Sequence, residues 1–539
     1  MVGQTPDAPS PSPEDPRRVP PVFSVPTTAL RRFGATVLDP DTATRLGNEP
    51  APRPVAYVPH RIFVPGFTEE QLAGPRGLLE ELGKQLDFHV EIPPNPLADV
   101  ATEGGYAERL GEVTHAPVRL VPNETRLGPP LDAWDVLQRA RSEFGHEAVR
   151  GWGLNHILMG AGYTSGVGYT SGVGYTSGVG YTSGVGYTSG VGYTSGVGYT
   201  SGVGYTSGVS LPGVASGRGP VSLRFPAPRP RHECSPVVAL LDTGLGEHPW
   251  FPPGSAHVDR DPRVDGQPVG LRFAPEDDPE LHGVTIDPVN RTLDPLAGHG
   301  TFVAGIVRQH CPEARLVVVP VMWGDGAADE KDLVAALEAL LLYHWSALDG
   351  RGPNDPLDVV NLSLGYYHER PDTVEDEASL MRALRALADS GVAVVAAAGN
   401  GGTAERFWPA AMADAVPTAV PVTSVGAHNP TGEDVAVFSN TGSWVTTYRP
   451  GVAVVSTMPT TLDSSARGAV FVEADSPRPE RATPDPDAYR TGFGVWSGTS
   501  FAAPSCVGMV ASVLAEEGPA GKGPDRRERA ARAVAKVVG

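Results

Sequence analysis

Three residues whose side chains act together in nucleophilic acyl transfer occur in this chain, each in a short motif bounded by glycine. Asp242 begins Asp-Thr-Gly, His299 lies in Gly-His-Gly-Thr, and Ser500 ends Gly-Thr-Ser. A carboxylate can orient an imidazole, the imidazole can accept the proton of a hydroxyl, and the hydroxyl oxygen can then attack a carbonyl carbon. Taken singly, such residues are more often a strand-end turn, a surface histidine and a helix cap. Their occurrence together indicates acyl-transfer chemistry.

The stretch around Ser500 has the properties that a nucleophile needs. Small residues flank the serine on both sides, and the apolar run 507–514 follows. This pattern predicts a helix whose amino end carries Ser500. Free N–H groups and the helix dipole would stabilise negative charge on an attacked carbonyl oxygen there.

The elements around these motifs alternate between apolar strands and amphipathic helices. Strands are predicted at 236–241, 315–322, 358–362 and 392–398, and helices at 331–345 and around Leu380, Leu384 and Leu387. Such alternation predicts an α/β fold with a parallel sheet covered on both faces. In such sheets the carboxyl ends of the strands form the functional edge, where Asp242 and Asn400 are expected.

In their order along the chain, the three motifs are similar to the catalytic motifs of the subtilisin-like serine proteases. The segment Ala397-Ala398-Gly399-Asn400 resembles the oxyanion segment of that family, and the resemblance extends over about 237–514. It implies a subtilisin-like fold and a serine endopeptidase that acts through an acyl-enzyme. It also implies that Asp242 orients His299, that His299 is the general base and acid, that Ser500 is the nucleophile, and that Asn400 donates to the oxyanion with the Ser500 N–H.

The same resemblance implies a substrate pocket for the residue before the scissile bond. Its walls would be two segments, formed by Ser363, Leu364 and Gly365 and by Ala397, Ala398 and Gly399. The sequence departs from the family's usual pattern at Phe302, Phe501 and Ser505. Phe501 is expected to narrow the leaving-group side of the cleft. The segments 251–297 and 464–491 are predicted to be surface loops beside the cleft.

Other classes of function were weighed against this interpretation. A sedolisin-type peptidase would use a glutamate base, which the Gly-His-Gly-Thr motif argues against. An α/β-hydrolase esterase would need a Gly-x-Ser-x-Gly elbow, and Ser500 lies in a different context. A non-catalytic scaffold or binding protein that displays the tyrosine repeat described below is the remaining alternative.

The amino-terminal part divides into three segments. Residues 1–50 are rich in proline without periodicity, which predicts a disordered arm. Residues 51–160 have a βαββαβ pattern, which predicts a small α+β domain of ferredoxin-like type. Residues 161–210 contain eight copies of Gly-Tyr-Thr-Ser-Gly-Val. This repeat is predicted to be a flexible linker, with an ordered β element as the alternative.

The pattern of 51–160 resembles the small prodomains that precede many subtilisin-like proteases. This resemblance implies an inhibitory or folding-assisting prodomain tethered to a catalytic domain at 211–539. The alternative is a permanent recognition domain that brings substrates to the cleft. A glycine-rich tether is easily cleaved, so release between residues 162 and 231 is expected.

Composition limits the partners and the compartment. The 539-residue chain has a formal net charge of −20, which argues against nucleic acid or an anionic membrane as the main partner. Acidic balance alone names no substrate, and polypeptide substrates are what the resemblance to the proteases implies. No apolar run approaches about 20 residues, and no secretory signal is recognisable. Three cysteines without metal-ligand spacing suit a reducing compartment. The expectation is a cytoplasmic protein.

No cofactor is expected from the sequence. Asp259, Asp261 and Asp265 have the spacing of a calcium loop, but Arg263 stands where such a loop needs an oxygen ligand. A solvated acidic loop is therefore the favoured interpretation. A structural calcium ion elsewhere cannot be inferred from these residues.

Overall fold

A computed structural model of the chain describes residues 25–124, 127–161, 218–222, 225–289, 291, 293–370, 378–464, 471–472, 481–482, 485, 487–519, 521 and 524–539. Except for Ala161, the segment 161–210 that was predicted to be a linker lies outside the described residues. So do residues 1–24 of the predicted arm.

Residues 25–161 form an antiparallel sheet with two long helices packed against it. The strands are β1 (Thr36–Val37), β2 (Ala56–Pro65), β3 (Phe88–Glu91), β4 (His115–Pro122) and β5 (Gly153–Gly160), and the helices are α1 (Thr27–Phe33), α2 (Glu69–Leu86), α3 (Ala98–Gly104), α4 (Ala107–Gly111) and α5 (Ala133–Phe144). The main strands lie in the order β5-β2-β4-β3, which is that of a ferredoxin-like sandwich.

Two boundaries differ from the sequence prediction. The arm predicted over 1–50 contains α1 and the strand β1, which pairs with β2, so its second half is structured. The first helix of the βαββαβ pattern, which the sequence predicts at 75–86, begins at Glu69, because Thr68 and Gln71 form a capping box. The Thr68 hydroxyl accepts from the Gln71 N–H, and the Gln71 side chain accepts from the Thr68 N–H.

The carboxyl-terminal part is built on a seven-stranded parallel sheet in the order β17-β16-β15-β13-β7-β11-β8. These strands are β7 (Val237–Asp242), β8 (Val258–Asp259), β11 (Arg315–Pro320), β13 (Val359–Leu362), β15 (Ala393–Ala397), β16 (Thr423–His428) and β17 (Thr447–Pro450). The central strands β7, β13 and β15 are completely buried. A buried parallel sheet with helices is the architecture that the sequence predicted.

Helices and short strands surround this sheet. The helices are α6 (His299–His310), α7 (Glu330–Leu348), α8 (Ser379–Asp389), α9 (Met412–Ala415), α10 (Thr499–Glu517) and α11 (Pro524–Val538). The short strands are β6 (Gly219–Pro220), β9 (Arg263–Val264), β10 (Gln267–Pro268), β12 (Ala327–Asp329), β14 (Leu364–Gly365), β18 (Val454–Thr457), β19 (Phe471–Val472), β20 (Arg481–Ala482) and β21 (Phe493–Trp496). By length and composition α10 could span a membrane, but 83% of its apolar window is buried within the protein, which is typical of a core helix.

Strand β5 joins the two parts. Its amino-terminal half pairs with β2 in the first sheet. Its carboxyl-terminal half lies between β12 and β14 and pairs antiparallel with both. The last strand of the amino-terminal domain is therefore inserted between two edges of the carboxyl-terminal domain.

Charged pairs reinforce this contact. Arg32 of the amino-terminal domain pairs with Asp325, which lies just before β12. Arg61 of the same domain pairs with Asp329, the last residue of β12. Asn155 donates to Asp329 at 2.8 Å between buried side chains. Both carboxylates are almost completely buried, so their loss of hydration must be offset by these cations and donors.

Replacing Thr68 by alanine should destabilise the amino-terminal domain by about 1 kcal/mol, because the N–H of Gln71 loses its acceptor at the start of α2. Urea unfolding followed by circular dichroism measures this change. Thr68→Ser is the matched control, since it keeps the hydroxyl and should unfold close to the wild-type midpoint. Equal midpoints for the alanine and serine variants would show that the cap contributes nothing.

Candidate active site

Asp242 and His299 meet at the carboxyl edge of the parallel sheet. Asp242 is the last residue of β7, and His299 is the first residue of α6. Gly298, with φ +81°, lets the chain turn sharply into that helix. The His299 Nδ1 lies 2.7 Å from the Asp242 Oδ1, and both side chains are buried. The His299 Nε2 has no hydrogen-bond partner among the described residues, so it is available to accept a proton.

Ser500 is the second residue of α10, at the end where the helix N–H groups are free. Its N–H donates to the carbonyl oxygen of Ala161 at 3.1 Å. Its hydroxyl donates to the carbonyl oxygen of Ser363 at 3.0 Å, and no hydrogen bond joins it to the His299 Nε2 in this structure. The helix start therefore holds both the Ser500 hydroxyl and an N–H that donates to a peptide carbonyl.

Asn400 supplies a second donor to the same carbonyl. Its Nδ2 donates to the Ala161 oxygen. Its Oδ1 accepts from both the N–H and the hydroxyl of Thr499, at 3.0 and 2.9 Å. Because two donors occupy Oδ1, the amide is fixed with Nδ2 toward Ala161. Ser500 and Asn400 thus make a two-donor pocket around one carbonyl oxygen.

The predicted substrate wall at 363–365 lies directly beside β5. The N–H of Ala161 donates to the Ser363 carbonyl at 2.8 Å, and Leu364 and Gly365 pair with Gly160 and Met159. A side chain at Gly365 would meet the Trp408 carbonyl at 2.3 Å, so only glycine fits there.

The second predicted wall of the substrate pocket lies at the end of the parallel strand β15. Ala397, Ala398 and Gly399 are the residues before Asn400 at the end of β15, and Ala398 bonds to Val425 of the neighbouring strand. Gly399 donates to the Thr499 hydroxyl at 3.1 Å. These residues fix the position of Asn400 through hydrogen bonds to the sheet and to α10.

Sequence reasoning missed the opposite wall of the cleft. Gly326 accepts from the N–H of Gly160 at 2.8 Å, and β12 pairs with residues 157–159. Nothing in the local pattern of 326–329 distinguishes an edge strand from a loop. The wall exists because β5 lies there to pair with it.

Glu280 is a second residue that the sequence did not reveal. It lies in the segment 251–297, which was predicted to be a surface loop, yet its side chain is buried beneath the Asp242 and His299 loops. It accepts from the hydroxyls of Thr243 and Thr301 and from the Gly300 N–H. Burial raises the pKa of Glu280 to about 7, although the two threonine hydroxyls act to lower it. Glu280 therefore ties the residues that follow Asp242 to those that follow His299.

Phe501 does not lie where it was expected. The side chain is completely buried and packs against Phe302 and Trp496, with ring centroids 4.6 and 5.1 Å apart. It also contacts the His299 ring at 5.3 Å. Because it is the third residue of α10, it points into the core beneath the imidazole and does not narrow the leaving-group side. Cys506, on the same helix, is also completely buried.

Two groups of described side chains lie close enough to share a metal ion, and one of them consists of His156, His368 and Glu369. Asp261, in the loop weighed as a calcium site, pairs with Arg263 and Arg272, whose guanidinium groups take the place of a cation. The carboxylates of Asp463, Asp485 and Asp487 lie close enough to share an ion.

A parallel sheet that presents Asp, His and Ser with two oxyanion donors at one edge defines a serine hydrolase. A model of the subtilase family (Peptidase_S8) matches residues 234–531, more than half of the chain. The chain belongs to the subtilase family and is a protease of the serine type.

The sequences of known proteases support membership of the subtilase family. The chain is 29% identical to Subtilisin BL of Lederbergia lenta over 240 residues, which are 43% of this chain and 69% of that protein. It is 28% identical to Serine protease AprX of Bacillus subtilis (strain 168) over 304 residues, 52% of this chain and 56% of that one. Fervidolysin from Fervidobacterium pennivorans, a solved structure, aligns with 88% of this chain and 56% of its own at 16% identity and a TM-score of 0.42, which adds no argument.

Glu280 gives a testable dependence of stability on pH. The pKa of Glu280 is about 7 in the folded chain and 4.5 for an ordinary glutamate. Between these two pH values its carboxyl is therefore ionised in the unfolded chain but still protonated in the folded chain. The free energy of unfolding should therefore fall, relative to Glu280→Gln, by about 3 kcal/mol as the pH rises from 4.5 to 7. Glu276→Gln, at an exposed position of the same segment, is the control and should show no such trend. A pH-independent difference for Glu280→Gln would contradict the assignment.

Proposed function

We propose that this chain is a serine endopeptidase in which Asp242, His299 and Ser500 form the catalytic triad. The observation that carries the proposal is the Ala161 carbonyl, which accepts hydrogen bonds from the Ser500 N–H and the Asn400 amide. Its peptide lies extended between two strands, as a substrate would. These donors face a carbonyl oxygen on which negative charge would develop during attack.

The geometry supports the following sequence of steps. The His299 Nε2 takes the Ser500 proton while Oγ bonds to the carbonyl carbon, and the carbonyl oxygen becomes an oxyanion held by Ser500 N–H and Asn400. Collapse breaks the C–N bond, and His299 gives its proton to the leaving amine, which leaves an acyl-enzyme. Water then attacks that ester with His299 again as base, and the carboxylic acid and free Ser500 are released. Asp242 keeps Nδ1 protonated and stabilises the imidazolium.

Residues 51–160 act in this proposal as an intramolecular inhibitor. Strand β5 fills the cleft and places Ala161 where the residue before the scissile bond belongs. A recognition domain would leave the cleft open for substrate, so the position of β5 favours inhibition. Because the carbonyl held by the two donors is that of Ala161, the proposal predicts cleavage between Ala161 and Gly162, the first residue of the repeat. Cleavage there would leave the repeat at the amino terminus of the processed enzyme.

A cytoplasmic location is part of the same proposal. Cys234, Cys311 and Cys506 are all free, and two of them are buried. Burial raises the pKa of the Cys311 and Cys506 thiols to about 12 and about 11, which keeps them protonated and unreactive. Free, inert thiols are compatible with a reducing compartment. Fractionation of the producing cells tests the location.

Substitutions at the triad should abolish peptide hydrolysis. We expect Ser500→Ala and His299→Ala to lose activity to background, Asp242→Asn to keep a trace, and Asn400→Ala to lose about 100- to 1,000-fold in kcat. Ser505→Ala, at the next serine of the same helix, is the matched control and should keep its activity. Labelling of the wild type, but not of Ser500→Ala, by a fluorophosphonate probe checks the nucleophile. Unchanged cleavage by Ser500→Ala would rule out Ser500 as the nucleophile, whereas an inactive and unlabelled wild type would favour the scaffold alternative.

Self-processing should occur at the bond that follows Ala161. Mass spectrometry of the wild-type chain should find a product that begins Gly-Tyr-Thr-Ser-Gly-Val, and Ser500→Ala should stay intact. Gly160→Ala should slow this cleavage about tenfold, because its Cβ would lie 2.5 Å from Leu296 Cδ1 and 2.7 Å from Met322 Sδ. Gly77→Ala, at a glycine with open space, is the control. A first cut within the repeat would show that Ala161 is not the attacked residue.

A further inference from the structure

A second binding contact lies five residues before Ala161, at the far end of the cleft. The imidazole of His156 is buried between two carboxylates of the carboxyl-terminal domain. Its Nδ1 lies 2.7 Å from the Glu330 Oε2, and its Nε2 lies 2.8 Å from the Glu369 Oε2. The ring stacks on Tyr366 with a centroid distance of 4.5 Å, and Glu330 also accepts the His156 N–H at 2.9 Å. Every polar atom that His156 could use for recognition is engaged.

The two walls of the cleft each supply one of these carboxylates. Glu330 directly follows β12 and begins α7, while Tyr366 and Glu369 follow β14. The two carboxylates therefore continue the walls of the cleft, and in the intact chain Phe63, Arg141 and Leu154 of the amino-terminal domain close the pocket from the other side. Its side chains are almost completely buried, at 1% exposure for Glu330 and 5% for Glu369.

The hydrogen bonding requires a cation in this pocket. A neutral imidazole has one N–H, so both nitrogens can donate to carboxylates only when the ring is protonated. Burial alone would lower the pKa of His156, but the charges of Glu369 and Glu330 raise it to about 10. The other groups that face it are His368, whose pKa burial lowers to about 4, and Arg141 and Tyr366.

Removing the cation would leave two buried carboxylates close together, which is strongly unfavourable. The adjoining wall is acidic too, since Asp325 and Asp329 pair with Arg32 and Arg61 of the amino-terminal domain. The end of the cleft that receives the amino-terminal part of a substrate therefore attracts positive charge.

We propose that Glu330, Glu369 and Tyr366 form a subsite for a cationic side chain five residues before the residue whose carbonyl is attacked. The substrates of this enzyme are then polypeptides with histidine, or another cation of similar size, at that position. The proposal rests on the proposed peptidase function and names the class of substrate for the same cleft.

Peptides that copy residues 154–163 test the subsite. The self-processed wild-type chain is given the peptide with histidine at its third position and matched peptides with alanine or glutamine there, and kcat/KM is measured for each. The histidine peptide should be favoured at least about tenfold below pH 7, because it makes two charge-assisted hydrogen bonds that the others lack. Any domain 51–160 that remains bound lowers all rates by the same factor, so the ratio is unaffected.

Variants of the enzyme show whether the carboxylates cause the preference. With Glu330→Gln and Glu369→Gln combined, the ratio of the histidine to the alanine peptide should approach one. Glu405→Gln is the matched control, because Glu405 pairs with Arg53 between the same domains but outside the pocket. It should keep the wild-type ratio. A purely structural effect of the double variant would lower both rates together and leave the ratio unchanged.

The preference should also depend on pH. The free peptide histidine has a pKa of about 6.5 and the bound one about 10, so the advantage is complete below 6.5 and is lost as the pH rises toward 10. Taking the ratio of two peptides at each pH cancels the ionisation of the catalytic groups. A ratio near one for the wild type, a ratio that does not fall with pH, or a ratio unchanged in the double variant would overturn the subsite. Failure of the wild type to cleave any of the peptides would instead count against the peptidase function.

Discussion

The carbonyl oxygen of Ala161, held by the Ser500 N–H and the Asn400 amide, is the contact on which the arrangement of the two domains depends. The pair of donors exists only if the start of α10 and the end of β15 meet. Thr499 enforces that meeting, since its N–H and hydroxyl both donate to Asn400. A peptide that offers its carbonyl there must lie extended, and β5 does so between two strands that would otherwise be unpaired edges.

The parallel sheet explains why residues so distant in sequence meet at this carbonyl. Asp242 and His299 are separated by 57 positions, and Asn400 and Thr499 by 99. Strands that run in the same direction deliver Asp242 and Asn400 at one edge, and helices that start at the same edge deliver His299 and Ser500. Helix starts carry free N–H groups, so the edge also stabilises developing negative charge. Glu280, buried between the loops, keeps the Asp242 and His299 segments in register with each other.

Two kinds of interaction hold the amino-terminal domain in the cleft, and they differ in what they recognise. Main-chain hydrogen bonds from β12 and β14 accept any extended peptide, because they do not involve side chains. The glycine-sized space at Gly160 and the carboxylate pair around His156 would select for particular side chains, as proposed above. In this interpretation the domain that blocks the cleft also displays the features of a good substrate. An inhibitor that must first be cleaved needs both the main-chain pairing and the side-chain contacts of a substrate.

The sequence by itself determined the parallel α/β sheet, the four-stranded amino-terminal pattern and the three motifs with Asp242, His299 and Ser500. Local periodicity and glycine-bounded motifs are properties of neighbouring residues, so they can be recognised without a fold. The sequence did not predict the start of α2, because it depends on the capping box formed by one pair of side chains. Nor did it predict the structured second half of the arm, because β1 forms only by pairing with β2. Tertiary structure alone decided that β5 fills the cleft and that β12 forms the second wall of that cleft. It also decided that Glu280 and Phe501 lie beneath the imidazole and that Glu330 and Glu369 enclose His156. Each of those facts joins residues from separate segments, and a linear pattern carries no information about which buried charge will meet which partner.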